Sequence, residues 1–373
     1  MNRILYIVST LKRSGPTNQL FHLLNNIEHD RFKPILITLS PEPEDSRWAD
    51  FRTVGVELYS LNVSRSMTFW TAKYKLQSII NDVQPALIHT HGVRPDILVS
   101  LIKKSAPHVA VIHNFPQIDY FMNYGRVRGF LMSWLHGLAM KKTNKTIGVS
   151  GSVTENLKEN FKLRNVDTIY NGVDIFQPDK KIFNRCRLVK YLGIPENATI
   201  FISTGHLSNL KDPLFLIEAW DSVTNRFPEC HLVFVGSGFL SESCKAISAN
   251  KKNIHFIGRV SSVVEYLKGS HYFVSASKSE GFGLGTAEAM SCGLPVLLSD
   301  NITHQEFFQL NAQIGKLFKL NDIASFIEAV GLLLSSDYHK HQEAALSLVE
   351  SKFNSVKMSI SYETAYLSVI NGS

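Results

Sequence analysis

SASKSEGFGLGTAEAMSCGLPV, residues 275–296, runs from an apolar strand end through a glycine-rich loop into a helical stretch. The strand side is YFVSAS (272–277), the loop holds Gly281, Gly283 and Gly285, and a helix is expected to begin near Thr286. Small residues let backbone N–H groups come close to a ligand, and a helix N-terminus adds partial positive charge. That combination suits an anion such as a diphosphate. Two carboxylates flank the loop, Glu280 before it and Glu288 on the helix, eight positions apart. Carboxylates beside a phosphate cradle repel the phosphate, so the hydroxyl donors of sugar rings are their better partners. Taken alone, the segment also fits a plain glycine turn with a glutamate favoured by the helix dipole.

The same alternation of strand, turn and helix extends in both directions. The first half contains ILYIV (4–8), PILITL (34–39), ALIHT (86–90), VAVIH (109–113), TIGVS (146–150) and DTIYN (167–171). The second half contains TIFIST (199–204), HLVFVG (231–236), IHFIG (254–258), YFVSAS (272–277) and PVLLS (295–299). Nearly continuous apolar runs suit strands buried on both faces, and their alternation with helices predicts two doubly wound parallel sheets. A chain of 373 residues exceeds what one core usually supports. The break is expected at Asn171-Gly172, giving domains 1–172 and 173–354, with a helical tail (353–370). Ligands bind beyond the carboxyl ends of parallel strands, so function belongs in strand-end loops.

Composition narrows the classes. With 44% hydrophobic and 19% charged residues the chain is globular rather than disordered. No apolar run approaches the ~18 residues of a membrane-spanning helix, and the N-terminal apolar run is too short for a secretory signal. The four cysteines form no C-x-x-C pair, which gives neither a disulfide framework nor a cysteine zinc site. A cytoplasmic protein is expected. The net charge of +7 is unevenly placed: residues 1–172 carry 21 Lys and Arg against 13 Asp and Glu, and 65–145 carry 11 against 3. Such a local positive field suits nucleic acid, anionic lipid or an anionic small molecule.

The segment 275–296 resembles the E-x7-E signature of retaining, GT-B-fold glycosyltransferases that use nucleotide sugars. The resemblance continues through TIGVSGSVTENL (146–157), IYNGVD (169–174), VFVGSG (233–238) and NIHFIGRVSSVVEYLKGSHYFVSAS (253–277). ALIHTHG (86–92) and VAVIHN (109–114) resemble the family's first-domain strand ends, so the match covers most of the chain in the expected order. It implies two Rossmann-like domains facing across a cleft, the first on the acceptor side, the second holding the nucleotide sugar, and a C-terminal helix (355–370) returning to the first.

Residue by residue, the resemblance implies that Glu288 holds the ribose hydroxyls and Glu280 faces the donor sugar. It puts the backbone amides of Phe282, Gly283 and Leu284 at sugar and phosphate, and His113 at the donor sugar. In STGHLSNLKDP (203–213), Lys211 matches a lysine that neutralises the leaving diphosphate. Five positions earlier, where the family usually has arginine, this chain has His206. Gly15 resembles the first-domain glycine loop, but the chain reads Gly-Pro where Gly-Gly is common. Gly236, with Gly238, is implied near the nucleotide, and Gly258-Arg259-Val260 is where backbone meets base, with Arg259 a further candidate for phosphate.

His89 and His91 are two apart and share a strand face, with His113 on a neighbouring strand. No carboxylate or cysteine completes a zinc set there, and D-x-D is absent from the sequence, so metal-independent chemistry without a cofactor is expected. RVRGFLMSWLHGLAMKK (126–142) and RSMTFWTAKYK (65–75) place basic residues beside aromatics, as at an anionic membrane surface. No nucleic-acid motif accompanies the charge.

The expected activity is retaining transfer of a sugar from a nucleotide diphosphate, a UDP-sugar first, to a hydroxyl of a glycan or lipid-linked acceptor. Surface polysaccharide or glycolipid assembly is the setting, peripherally at the cytoplasmic membrane face. A sugar-nucleotide epimerase of the same fold and a catalytically silent scaffold are the rivals. The first would need acid and base groups at the sugar carbon, and His206 keeps the second in play.

Overall fold

The computed structural model describes residues 1–63, 69–103, 106–176 and 181–372. They divide into two compact units, Met1–Gly172 with Ser355–Ser373, and Val173–Asn354.

The first unit runs β1 (Asn2–Val8), α1 (Gly15–Asn26), β2 (Phe32–Thr38), α2 (Trp48–Thr53), β3 (Glu57–Ser60), α3 (Phe69–Val83), β4 (Leu87–His91), α4 (Val93–Ser100), β5 (His108–Ile112), α5 (Pro116–Met140), β6 (Lys145–Gly148), α6 (Gly151–Phe161) and β7 (Val166–Thr168). Among the described residues its sheet has seven strands in the order β3-β2-β1-β4-β5-β6-β7, all parallel. The second unit runs α7 (Lys181–Leu192), β8 (Thr199–Thr204), α8 (Pro213–Arg226), β9 (Cys230–Val235), α9 (Ser241–Ile247), β10 (Ile254–Gly258), α10 (Val264–Lys268), β11 (Tyr272–Ser275), α11 (Leu284–Ser291), β12 (Val296–Ser299), α12 (Ile302–Leu310), β13 (Gly315–Phe318), α13 (Ile323–Leu334) and α14 (Tyr338–Lys352). Among the described residues its sheet has six parallel strands in the order β10-β9-β8-β11-β12-β13.

Both sheets therefore have the doubly wound order in which the chain starts centrally, winds one way and then reverses. The reversal lies between β1 and β4 in one unit and between β8 and β11 in the other. At such a switch point the loops on either side diverge and leave a crevice. The eleven apolar runs read from the sequence are strands here; β3 and β13 were missed. Both are edge strands of four residues. β3 is only half-buried to exposed, so its residues carry no apolar run. In β13, Gly315 is required because a Cβ there would stand 1.8 Å from the Val296 carbonyl oxygen.

The central strands are buried along their length, as continuous apolar runs require. In the second unit, Phe201, Trp220, Phe318 and Phe326 fill the layer between sheet and helices. The tail forms α15 (Ser355–Ile370) and packs on the first unit through α1. There the Tyr366 hydroxyl meets the Tyr6 hydroxyl at 3.2 Å and His89 Nδ1 at 2.5 Å, and Glu363 Oε1 accepts the Glu28 amide at 2.7 Å.

Candidate active site

In the second unit the loops after β8 and β11 flank the switch point, which brings Lys211 to Glu280 although 69 positions separate them. Lys211 Nζ donates to Glu280 Oε1 in a direct ion pair, with the glutamate side chain 10% exposed and the lysine side chain 32%. Burial alone would raise the Glu280 pKa. The Lys211 charge, with help from the His304 environment and a hydrogen bond from Ser277, outweighs that and holds it below the ordinary carboxylate value. Neighbouring bonds lace the two loops: Lys278 pairs with Asp212 at 2.7 Å and its amide donates to the Leu210 carbonyl at 2.7 Å. The sequence reading gave Lys211 and Glu280 separate partners; here they are each other's.

The glycine loop ends at Gly283, whose φ of 85° and ψ of 55° are left-handed and cap α11. The helix starts at Leu284, two residues before the expected Thr286. Gly285 is needed for packing, since a Cβ there would lie 2.8 Å from Thr204 Oγ1 on β8. The Phe282 ring is buried against Phe307 and Phe353, with ring centres 5.4 and 5.1 Å away, and this anchors the loop from below. Glu288 is half-buried on α11.

Beyond β8 and β9 the backbones come close. A Cβ on Gly236 would meet the Gly205 carbonyl oxygen at 1.9 Å, and one on Gly238 the Leu207 carbonyl oxygen at 2.2 Å. The Gly236 amide donates to the Gly258 carbonyl at 2.8 Å, and Gly258 takes a φ of 80° beside a register shift in β10. Arg259 is exposed and Val260 half-buried on the turn that follows. His206 is exposed, its ring 6.5 Å from that of Phe239, itself an exposed aromatic that sequence reading passed over.

A support layer was also missed. Thr303 Oγ1 donates to the Glu280 carbonyl at 2.5 Å, while Ser299 Oγ and Asn301 Nδ2 each donate to the Ser277 carbonyl at 2.7 Å. Asn301 Oδ1 caps α12 by accepting from Thr303 and His304. Burial lowers the His304 pKa to about 4. The sequence signal was available: SDNITH (299–304) sets a capping asparagine directly after a strand.

The first unit has its own polar cluster at the carboxyl ends of β4 and β5. His89 and His91 stack with ring centres 4.5 Å apart, and His91 Nδ1 lies 2.8 Å from Nε2 of His113, the residue just after β5. Burial lowers all three pKa values, to about 3 for His89 and about 4 for His113, so the rings are neutral at pH 7. Gly15 is the first residue of α1, with Ser14 as its N-cap and Pro16 in the first turn. Among the described residues no group of three or more His, Cys, Asp or Glu is arranged to hold a metal ion.

α5 is kinked at Gly125, with φ 77° and ψ 175°, and its second part is two-faced. Gly129, Ser133, His136, Gly137 and Met140 are buried, whereas Val127, Phe130, Leu131, Trp134, Leu135 and Leu138 form one exposed stripe, Val127 at 83% and Phe130 at 63%. Arg126, Arg128, Lys141 and Lys142 stand at its ends. Of the 65–75 segment, residues 65–68 and the side chains of 69 and 70 lie outside the described residues. No helix of the described residues is long and apolar enough to cross a membrane.

Two family profiles match the chain, "Glycosyltransferase Family 4" over residues 13–176 and "Glycosyl transferases group 1" over 185–347. The chain belongs to the group 1 glycosyltransferases. A similar relative is the Escherichia coli UDP-Gal:alpha-D-GlcNAc-diphosphoundecaprenol alpha-1,3-galactosyltransferase, 30% identical over 252 residues, 65% of each chain. The E. coli O-antigen biosynthesis glycosyltransferase WclY is 22% identical over 98% of each chain. Among solved structures, Anabaena HepE in complex with UDP superimposes with a TM-score of 0.79 at 16% identity, covering 98% of this chain and all of that one. Sucrose-phosphate synthase from Thermosynechococcus elongatus gives 0.82 at 16% identity over the whole of both chains. The fold is GT-B, and the chain is a glycosyltransferase.

Proposed function

We propose that this glycosyltransferase moves a hexosyl or N-acetylhexosaminyl group from a UDP-sugar to a hydroxyl of a glycan or lipid-linked acceptor, with retention at the anomeric carbon. The observation that carries the reading is the Lys211–Glu280 pair at the switch point where the Gly283-capped α11 begins. A cation, a helix N-terminus and a buried carboxylate together serve a ligand that is diphosphate at one end and polyol at the other. The second unit is then the donor side and the first the acceptor side. Glu288 holds the ribose and Glu280 a donor-sugar hydroxyl, and His113 is a sugar-contacting residue of the first unit.

In the transfer, the bond between the anomeric carbon and the diphosphate oxygen breaks while the acceptor oxygen adds on the same face. The acceptor proton passes to the leaving phosphate. Charge building on the diphosphate is met by Lys211 and by the amides of Phe282, Gly283 and Leu284, donors fixed before the reaction starts. His206, Arg259 and the backbone of Gly236, Gly258 and Val260 border the nucleotide. The uridine in the relative's name and in the HepE complexes supports a UDP-sugar, and the diphosphoundecaprenol in the relative's name supports a lipid-linked acceptor.

The exposed stripe of α5, with basic residues at both ends, supports work at an anionic membrane face on the cytoplasmic side. Incubation with a panel of nucleotide sugars and alpha-D-GlcNAc-diphosphoundecaprenol, reading nucleotide release and the anomeric configuration of the product, tests the activity. UDP release with an α-linked product from an α-linked donor is expected. A β-linked product contradicts retention, an epimerised sugar points to the rival chemistry, and release from no donor removes the reading.

A further inference from the structure

Where β6 and β7 begin, at the end of the first sheet away from its strand-end loops, lies a cavity of 260 Å³. The carboxyl end of α5, the turn into β6 and the turn from α6 into β7 enclose it. Lys141, Lys162 and Arg164, all exposed, line it together with Thr143 and Thr146. Ligands of the transfer reaction belong at the opposite ends of the strands, so this cavity is no part of that site.

Its three cations are uncompensated. No carboxylate lines the cavity, and among the described residues none of the three side chains has an ion-pair or hydrogen-bond partner. Acids are at hand nearby, since Lys145 at the start of β6 pairs with Asp167 at 2.5 Å. The carboxyl ends of α5 and α6 also lie here, just before Lys141 and Lys162. Each brings only about half a negative charge, against three full positive ones. The hydroxyl protons are already used: Thr143 donates to the Met140 carbonyl at 2.8 Å, and Thr146 to Thr143 at 2.9 Å. What the lining offers a ligand is therefore two ammonium groups and a guanidinium fork. Their complement is a phosphate, whose free oxygens all accept. Lys162 also sits in a left-handed conformation, φ 54° and ψ 37°, that favours glycine or asparagine. The turn itself does not call for a lysine.

α5 argues for where the phosphate comes from. Lys141 follows Leu138 by three residues and Trp134 by seven, so it continues the exposed apolar stripe on the same face of the helix. The cavity thus adjoins the surface read above as the membrane face. Its volume is below the ~300 Å³ at which pockets for whole drug-sized ligands begin. A headgroup fits, and acyl chains stay outside, along the stripe.

We propose that Lys141, Lys162 and Arg164 form a site for the phosphate of an anionic lipid headgroup, which fixes how α5 lies on the bilayer. The proposal rests on the membrane-face reading of α5 above.

The test is flotation of the full chain at low salt with phosphatidylcholine vesicles that carry phosphatidylglycerol. Lys162→Asn with Arg164→Gln is compared with Arg126→Gln with Arg128→Gln, which removes the same charge at the other end of the stripe. Asparagine suits the left-handed position, so the first pair should melt at the wild-type temperature. Diffuse attraction is worth about fivefold per basic residue, so the control pair should weaken binding about 25-fold. The cavity pair should weaken it about 100-fold or more, the loss of two charged hydrogen bonds. Glycerol 3-phosphate should release the wild type better than sodium chloride of equal ionic strength, and should show no such advantage with the cavity pair. Equal losses in the two pairs, or release no better than by chloride, overturns the site and leaves the membrane face standing. Inorganic phosphate that binds the wild type without vesicles, while flotation is the same in both pairs, makes the source a soluble phosphate and overturns the lipid assignment. A wild type that does not float removes the membrane face itself, and the proposal with it.

Discussion

The two units wind their strands in the same way, but the second collects its polar residues at its switch point and the first collects them one strand along, at the ends of β4 and β5, with different electrostatics. The second unit places a lysine against a buried carboxylate between the loops after β8 and β11. The first sets histidines whose charge burial suppresses, with a tyrosine, at the ends of β4 and β5. One wound sheet therefore makes a crevice without dictating its chemistry; the side chains on the diverging loops decide whether it takes an anion or a neutral ring.

The comparison breaks most visibly at Lys211. If Lys211 meets the leaving diphosphate as proposed, Lys211→Ala removes that charge as well as stranding Glu280, and kcat/KM for UDP-sugar should fall by about 10²–10³, the scale of losing one preorganised charge-stabilising donor. Steady-state nucleotide release measures it. A loss under tenfold would take Lys211 out of the transition state. Next in size is the split between the carboxylates. Glu288→Ala should weaken UDP by about 1.5–3 kcal/mol, one charged hydrogen bond, while Glu280→Ala should mainly lower turnover. Calorimetry with UDP showing equal losses for both would undo the assignment.

The neutral side can be probed by acid. Unfolded, His89 and His113 take up protons near pH 6.5; folded, they stay neutral to about pH 3 and 4. Between those values the unfolded chain binds more protons, so this stability is complete above pH 6.5 and is lost as the pH falls towards the folded values. One such histidine costs about 2 kcal/mol at pH 5. Thermal unfolding at pH 7 and pH 5 should show the fall, and His113→Asn should reduce it; an equal fall in the variant would mean that His113 is not held neutral. The smallest effect concerns α5. Vesicles of anionic lipid should bind the chain at low salt and release it at 1 M, where screening shortens to ~3 Å, and Phe130→Ser with Trp134→Ser should weaken the low-salt binding. Flotation without binding at low salt would remove the membrane face.

Much of this was legible in the residues. Central strands are covered on both faces and so announce themselves as apolar runs; the edges β7 and β10 still carry such runs, whereas β3 (ELYS) and β13 (GKLF) are short and broken by polar residues or glycine. The loop of Gly281, Gly283 and Gly285 with its flanking glutamates could be read because its meaning is local. Lys211 and Glu280 were each picked out, but their pairing could not be, because it depends on the reversal of strand order that makes distant loops neighbours. The same holds for the buried hydrogen-bonded chain of Asp96, His136 and Tyr120, which no periodicity links and which only the packing of α4 on a kinked α5 assembles. Gly236 and Gly285 carry a lesson of another kind: the backbone approach that requires a glycine there is to Gly205 and Thr204.

The division between the units is tested most directly by UDP calorimetry on four proteins: wild type, Lys211→Ala, Glu288→Ala and Tyr120→Phe. UDP should bind the wild type, lose at least tenfold in affinity in each of the two second-unit variants, and bind Tyr120→Phe as it binds the wild type. Affinity that is unmoved by Lys211→Ala and Glu288→Ala, or that falls with Tyr120→Phe, would contradict the assignment of the charged site, and not the neutral one, to the nucleotide.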